Sequence, residues 1–116
     1  MHFAADHEVG RSMVEPGKYY WNNVANTIAL LNHAVGAGVK NFVFSSSSSV
    51  YGNTKDFSEY APCRPQTPYA WSKYLFDRWV FEQPLNIYVQ GFRYFNVYGK
   101  WMHLRGHRAN AIHKWR

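Results

Sequence analysis

Cysteine and long apolar segments are nearly absent from this sequence of 116 residues. No apolar run approaches the roughly 20 residues that cross a bilayer. No charged segment followed by an apolar one opens the chain, so we expect neither a membrane span nor a signal peptide. The one cysteine, Cys63, cannot form an internal disulfide, which favours a reduced compartment. The sequence therefore predicts a cytoplasmic protein that has no membrane partner.

Acidic residues are missing from the end of the chain. All seven Asp and Glu fall within residues 1–99, where eight Lys and Arg nearly balance them, whereas residues 100–116 add five basic residues. A basic tail binds phosphates or nucleic acid in some proteins. A solvated or divergent tail is the simpler interpretation, and nucleic acid is not favoured as a partner. Zinc is not predicted, because His103 and His107 have no Cys or carboxylate to complete a site.

The content of apolar residues (47%) and aromatic residues (19%) excludes disorder, and the length fits a single domain. Apolar residues recur at helical spacing in residues 18–35, where Gly36 is expected to end the helix. A second helix is expected to begin at Pro68, with Thr67 as its N-cap, and to run to about Glu82. Its buried side is expected to carry Leu75, Trp79 and Val80.

Short apolar segments of strand type alternate with these helices. They cover residues 2–5, 41–44 and 86–92. Alternating strands and helices predict an α/β protein with a parallel sheet and right-handed crossovers. Functional groups in such sheets gather at the carboxyl ends of the strands. Three segments follow expected strands in this way: residues 4–7, 45–49 and 93–99.

Tyr69 and Lys73 are the clearest chemical signal. They are four residues apart on an expected helix, so both side chains face the same way. A phenol with a pKa of about 10 is a poor base at neutral pH. A cation one turn away and the positive end of the helix dipole both favour the phenolate. Such a tyrosine can remove a proton from a hydroxyl group while a hydride leaves the same carbon. Residues 45–49 are five serines at the carboxyl end of the second expected strand. The hydroxyl group of a serine at this place can bridge the reacting oxygen and Tyr69.

Several separated motifs, in the right order, resemble one family. They are His2-Phe3-Ala4-Ala5, Val9-Gly10-Arg11-Ser12, Asn22-Asn23-Val24, Phe42-Val43-Phe44-Ser45-Ser46-Ser47 with Val50-Tyr51-Gly52, Pro68-Tyr69-Ala70-Trp71-Ser72-Lys73, and Arg93-Tyr94-Phe95-Asn96-Val97-Tyr98-Gly99. Together they resemble the extended short-chain dehydrogenase/reductase family, in its branch of NAD-dependent epimerases and dehydratases. The resemblance runs from residue 2 to about residue 99.

The resemblance implies a role for each matching residue. Ser47 matches the catalytic serine, Tyr69 the proton-transferring tyrosine, and Lys73 the lysine that holds the nicotinamide ribose and tunes that tyrosine. The implied cofactor-binding residues are Phe3, Ala4, Ala5, Asn22, Lys73 and Phe95. The implied substrate-binding residues are Ser47 and Asn96. No metal is implied.

The fold implied is a partial Rossmann-like one, a three-layer parallel sheet that lacks the first strands. Residues 1–99 would form the central part of a dinucleotide-binding domain, and residues 100–116 a truncated or divergent basic tail. The sequence contains no Gly-rich phosphate loop between a first strand and a first helix. It also lacks the acid or arginine that selects NAD or NADP, so the choice of cofactor stays open.

The implied function is that of a fragment of a nicotinamide-dependent nucleotide-sugar epimerase, which inverts a sugar hydroxyl by transient oxidation to a keto sugar. The first half is most similar to UDP-glucose 4-epimerases, whereas the second half resembles ADP-glycero-manno-heptose 6-epimerases. A non-catalytic remnant, or a module that associates through its helices, is a further alternative. The resemblance also implies a homodimer formed through helices 18–35 and 67–82.

Overall fold

The computed structural model describes residues 1–99, so the predictions for residues 100–116 lie outside the described part. Within these described residues, four α-helices and two strands follow one another. The helices are α1 (Val9–Val14), α2 (Pro16–Tyr20), α3 (Asn26–Gly36) and α4 (Pro68–Glu82), and the strands are β1 (Asn41–Ser47) and β2 (Tyr88–Tyr94). A π-helical turn, Trp21–Ala25, joins α2 to α3, and a 3-10 turn, Ser48–Tyr51, follows β1.

The two strands are parallel, as the sequence predicts. They pair in register from Asn41 opposite Tyr88 to Ser47 opposite Tyr94. On the other edge of β1, His2 forms a parallel bridge with Phe44. Three chain segments therefore run in the same direction, and their carboxyl ends meet at one edge. This arrangement confirms the α/β fold class.

One apolar core cluster joins the sheet to both long helices, and a second cluster forms around Val50, Tyr51 and Ala61. The buried members of the first cluster are Leu31 of α3, Phe42 and Phe44 of β1, and Phe76 of α4. Phe42 and Phe44 alternate along the strand and so share one face of it. Both helices thus cover that face, and residues 1–99 supply two of the three layers expected. Gly91 lies opposite Phe44, where an added Cβ would come within 2.5 Å of the ring.

The first predicted helix differs from the observed one at its start and in its middle. It begins at Pro16 rather than at residue 18, because proline is well suited to the first turn, where its missing N–H is not needed. The π-helical turn interrupts it at Trp21–Ala25. The short helix α1 was not predicted. Gly38 follows the helix end with a φ of 78°, a conformation that favours glycine.

The second predicted helix agrees closely with α4. Thr67 caps it by accepting a hydrogen bond from the backbone N–H of Ala70. Trp79 and Val80 pack against the core. The expected burial of Leu75 was wrong, since its side chain is 41% exposed. The buried face of α4 is centred on Lys73 and Phe76, which leaves Leu75 at its margin.

Of the three predicted strands, those at residues 41–44 and 86–92 lie in the right place with shifted ends, whereas residues 2–5 contribute only the isolated bridge at His2. β1 continues through three serines to Ser47, beyond the predicted end at residue 44. β2 begins and ends two residues later than predicted. Within the described residues, no helix is both long enough and apolar enough to cross a membrane.

Candidate active site

The carboxyl ends of the strand segments enclose a cavity of about 460 Å³ together with the first turns of α4. Its lining comes from all three segments that the strand-end rule indicates. The lining residues are Phe3, Ala5, His7, Val9, Ser45, Ser46, Ser47, Ser48, Ser49, Tyr69, Lys73, Tyr94, Phe95, Asn96 and Val97. The predicted convergence of residues 4–7, 45–49 and 93–99 is therefore confirmed.

Seven of the nine predicted site residues line this cavity. They are Phe3, Ala5, Ser47, Tyr69, Lys73, Phe95 and Asn96. Ala4 does not line it, because only alternate residues from Phe3 to Val9 do so, an alternation typical of extended chain. Asn22 does not line it either. Its side-chain amide instead donates to Asp6 Oδ2 at 3.0 Å.

Lys73 lies at the back of the cavity and is only 8% exposed. Its Nζ donates to the backbone carbonyl of Ser45 at 3.1 Å. Burial lowers the pKa of Lys73 from 10.5 to about 8, while the nearby carboxylate of Asp77 acts in the opposite direction. The ammonium group is therefore held beside the strand end at a cost in desolvation.

Tyr69 lies in the first turn of α4, one helical turn before Lys73. Its ring meets the ring of Tyr19 edge to face, with centroids 6.4 Å apart. The hydroxyl of buried Tyr19 donates to the carbonyl of Glu8 at 2.8 Å. Tyr19 is therefore fixed to the segment that leads into α1, and it supports the ring of Tyr69 from one side.

Ser47 ends β1 and begins the 3-10 turn. Its Oγ accepts hydrogen bonds from the backbone N–H of Ser49 at 3.2 Å and from the hydroxyl of Ser49 at 2.9 Å. Gly52 ends the turn at a φ of 70°, where the chain passes against the backbone of Arg64. These contacts set the direction of the Ser47 hydroxyl.

Asp77 is a buried carboxylate beside the candidate site that the sequence analysis missed, although it does not line the cavity. Its Oδ2 accepts from Ser46 Oγ at 2.8 Å and lies 3.5 Å from Nε of Arg93. Its Oδ1 is buried and has no hydrogen-bond partner among the described residues. Burial raises the pKa of Asp77, and the contacts with Ser46, Arg93 and Lys73 oppose that rise. The spacing of four residues from Lys73 could have indicated this carboxylate, since it lies on the same helix face.

Several lining residues were also not named in advance. They are His7, Val9, Ser45, Ser46, Ser48, Ser49, Tyr94 and Val97. All except Val9 fall in the three segments that follow predicted strands. The strand-end rule could therefore have found them, whereas Val9 belongs to the unpredicted helix α1.

This cavity lies at the carboxyl ends of parallel strands and is lined by a serine, a tyrosine and a lysine. Such an arrangement is typical of the nucleotide-binding site of an oxidoreductase. A profile of the NAD dependent epimerase/dehydratase family matches residues 1–116. The chain belongs to this family.

The names of individual relatives are more specific than the description of the family. A UDP-glucose 4-epimerase of Streptomyces lividans is 46% identical over 82 residues, which cover 69% of this chain and 25% of that protein. A UDP-glucose 4-epimerase of Rhizobium meliloti (strain 1021) is 39% identical over 108 residues, which cover 85% of this chain and 31% of that protein. The chain thus spans between a quarter and a third of the length of these curated relatives.

Solved structures agree with these relatives. A UDP-N-acetylglucosamine 4-epimerase from Methanobrevibacter ruminantium M1 superimposes with a TM-score of 0.88 at 30% identity, covering 98% of this chain and 39% of that one. A UDP-glucose 4-epimerase from Thermotoga maritima gives a TM-score of 0.86 at 30% identity, covering 98% and 40%. The partial Rossmann-like architecture is therefore that of epimerases.

Proposed function

We propose that the protein carrying this chain is a nucleotide-sugar epimerase of the UDP-glucose 4-epimerase type that uses NAD or NADP. The observation that carries the proposal is one cavity, lined by Ser47, Tyr69 and Lys73, at the ends of parallel strand segments. The relatives named UDP-glucose 4-epimerase support a UDP-sugar as the substrate. They favour this reading over a heptose 6-epimerase.

The residues present fit a nicotinamide cofactor. Among the described residues, the only hydrogen-bond partner of the Lys73 ammonium is the carbonyl of Ser45, so two of its three donors are left for the ribose hydroxyls. Phe3 and Ala5 are apolar lining residues against which a nicotinamide ring can lie, and Phe95, which follows the end of β2, lines the same cavity. A bound nicotinamide supplies the hydride acceptor of the reaction.

In the proposed reaction Tyr69 is the acid and base. Its hydroxyl oxygen exchanges a proton with the sugar hydroxyl, and the ammonium group of Lys73 lies one turn away on the same helix. Because the Oγ of Ser47 accepts from Ser49, its own proton can be donated to the reacting sugar oxygen. Inversion would require that the hydride lost from the same carbon to a bound nicotinamide be returned to the opposite face of the keto sugar, while Tyr69 returns the proton to the sugar oxygen.

Exposed apolar side chains on α3 and α4 support the proposed homodimer through residues 18–35 and 67–82. Leu30, Trp71 and Leu75 are each more than a third exposed. Trp79, in contrast, packs in the core of this chain. The molar mass from light scattering, compared between the wild type and a Leu30→Asp, Trp71→Asp variant, tests the dimer. A mass that is twice the chain mass in both proteins contradicts this interface.

The experiment that tests the reaction follows the conversion of UDP-glucose to UDP-galactose by ¹H NMR, using the intact protein with added NAD or NADP. Tyr69→Phe should lower kcat by about 10²–10⁴-fold, the range that a general acid or base contributes. Cofactor binding, followed by fluorescence, should be retained. Tyr60→Phe is the matched control, because Tyr60 is 97% exposed and does not line the cavity.

The possible outcomes separate the alternatives. Normal turnover in Tyr69→Phe removes Tyr69 from the proposed role. An intact protein without turnover on any nucleotide-sugar supports the non-catalytic remnant or the association module instead.

A further inference from the structure

We propose that Phe57 is a positioning residue, which holds the ring of Phe95 in the wall of the candidate active site through an edge-to-face contact. The inference rests on the proposed function, because Phe95 lines the cavity that is proposed to hold the nicotinamide cofactor. Phe57 itself does not line that cavity, so it acts through Phe95.

Three rings, the aromatic row, join the 3-10 turn to the segment that follows β2. The ring of Phe57 lies in the middle, with its centroid 5.8 Å from that of Tyr51 and 5.3 Å from that of Phe95. The interplanar angles are 83° and 79°, so both contacts are edge to face. This geometry suits the quadrupoles of aromatic rings, and each such pair contributes more than the apolar area that it buries. Phe57 therefore links Phe95 to Tyr51.

Tyr51 is the fixed end of the aromatic row. It is 3% exposed and packs with Val50 and Ala61 in the second apolar cluster. The guanidinium group of Arg93 lies over its ring, 4.9 Å from the centroid, which makes a cation–π contact. The Nε of Arg93 in turn lies 3.5 Å from the Oδ2 of Asp77. Contacts with β2, and through it with α4, therefore hold Tyr51 in place.

Phe95 is the exposed end of the aromatic row. Its side chain is 57% exposed, and its only ring contact among the described residues is with Phe57. Phe95 lines the cavity of the candidate active site and also a second cavity of about 590 Å³, which Phe57 lines with it. Phe57 thus contacts Phe95 from the side of the second cavity. Without the ring of Phe57, the side chain of Phe95 is free to turn away from the cofactor site.

The loop that carries Phe57 leaves the 3-10 turn and returns to it. The backbone N–H of Arg64 donates to the carbonyl of Val50 at 2.9 Å, which brings the two ends of the loop together. Compact loops with neighbouring ends are frequently functional. In the middle of the loop, Nη1 of Arg93 lies 3.5 Å from the carbonyl oxygen of Glu59. The loop is therefore held at its ends and near Phe57, as a positioning role requires.

The test measures the Kd of NAD and of NADP for the intact protein, together with kcat at saturating cofactor. Phe57→Ala should raise the Kd of the cofactor that binds by about 3–10-fold, the factor that corresponds to one aromatic pair. The kcat at saturating cofactor should stay within about twofold, because neither Tyr69 nor Lys73 is displaced. Phe57→Tyr keeps the ring and should restore the Kd of the wild type. A partly unfolded variant would instead lower kcat and leave the Kd of the folded fraction unchanged.

Tyr60→Ala is the matched control. Tyr60 lies in the same loop, is 97% exposed, and has no ring contact with any of residues 1–99. Its removal should leave the Kd within about twofold of the wild-type value, since surface changes of this kind have small effects.

A second readout does not depend on activity or on bound cofactor. The ¹⁹F resonance of 4-fluorophenylalanine, incorporated in place of Phe95, reports the contact with the neighbouring ring. It should shift in Phe57→Ala but not in Tyr60→Ala. An unchanged resonance in Phe57→Ala overturns the proposal, and so does a Phe57→Tyr variant that binds cofactor as weakly as Phe57→Ala. A wild type without cofactor binding or epimerase activity contradicts the proposed function alone, because the ¹⁹F resonance still decides whether Phe57 positions Phe95.

Discussion

Replacing Lys73 with methionine should make the folded protein more stable at neutral pH. Lys73 is buried, and its pKa is lowered from 10.5 to about 8, mainly by burial. A lowering of about 2.5, at about 1.4 kcal/mol for each pKa unit, corresponds to roughly 3 kcal/mol by which folding disfavours the ammonium. Methionine has a similar length and no charge, so it removes this cost.

Part of that gain is lost with the hydrogen bond. The carbonyl of Ser45 loses its bond from Nζ, which costs about 1–1.5 kcal/mol. We therefore expect Lys73→Met to raise the free energy of unfolding by about 2 kcal/mol at pH 7. The same variant should lose the proposed activity.

The pH dependence of the stability difference between Lys73→Met and the wild type shows whether the lowered pKa of Lys73 is its cause. Below about pH 8 both the folded and the unfolded protein keep the proton on Lys73, so the cost is fully present. Between about pH 8 and pH 10.5 the folded protein releases this proton while the unfolded chain keeps it. Stability rises with pH wherever the unfolded state binds more protons. The advantage of Lys73→Met over the wild type should therefore shrink as the pH rises through this range.

The assay is urea denaturation followed by circular dichroism on the intact protein, without nicotinamide cofactor, at pH 7, 8, 9 and 10. Lys40→Met is the control, because Lys40 is exposed and should change stability by less than about 0.5 kcal/mol. A Lys73→Met variant that is less stable than the wild type at pH 7 would refute the reasoning. A stability difference that is constant from pH 7 to pH 10 would do the same.

Two further predictions concern the turns beside the site, and both are measured by urea denaturation. Gly52→Ala should destabilise by roughly 2–4 kcal/mol, because its φ is 70° and a Cβ would lie 2.0 Å from the carbonyl oxygen of Arg64; Gly10→Ala, with open space around it in α1, should be neutral or stabilising by up to about 1 kcal/mol. Equal effects would argue against the close approach at Gly52. Thr67→Ala should lose about 1 kcal/mol with the cap bond to Ala70, whereas Thr67→Ser should retain it, and identical losses in the two variants would exclude the cap as the cause.

Most of the lining of the candidate site could be predicted from the sequence because it depends on local rules. Strand order and direction bring residues 4–7, 45–49 and 93–99 to one edge, whatever the details of packing. The spacing of Tyr69 and Lys73, with the cap at Thr67, fixes where α4 begins and which way both side chains face. These features depend on residues that are near in sequence or on the topology alone.

The features that the sequence could not predict depend on contacts between distant segments. Asp77 reaches Ser46 and Arg93 from two different strands. The π-helical turn that turns Asn22 and Asn23 towards Asp6 is a departure from helical spacing that no periodicity indicates. Tertiary contacts decide such features.

Lys73 and Asp77 also show that this site is not built for stability alone. Burial lowers the pKa of the first and raises the pKa of the second, so folding disfavours the charged form of each group. Apolar side chains at both positions would join the helix to the sheet at less cost.

A ligand that binds only the folded state stabilises it by mass action. If that ligand accepts hydrogen bonds from Nζ, it favours the charged form of Lys73 and recovers part of the desolvation cost. Methionine at this position cannot donate a hydrogen bond to the ligand. The substitution that makes the folded protein more stable therefore also removes the group on which the proposed function depends.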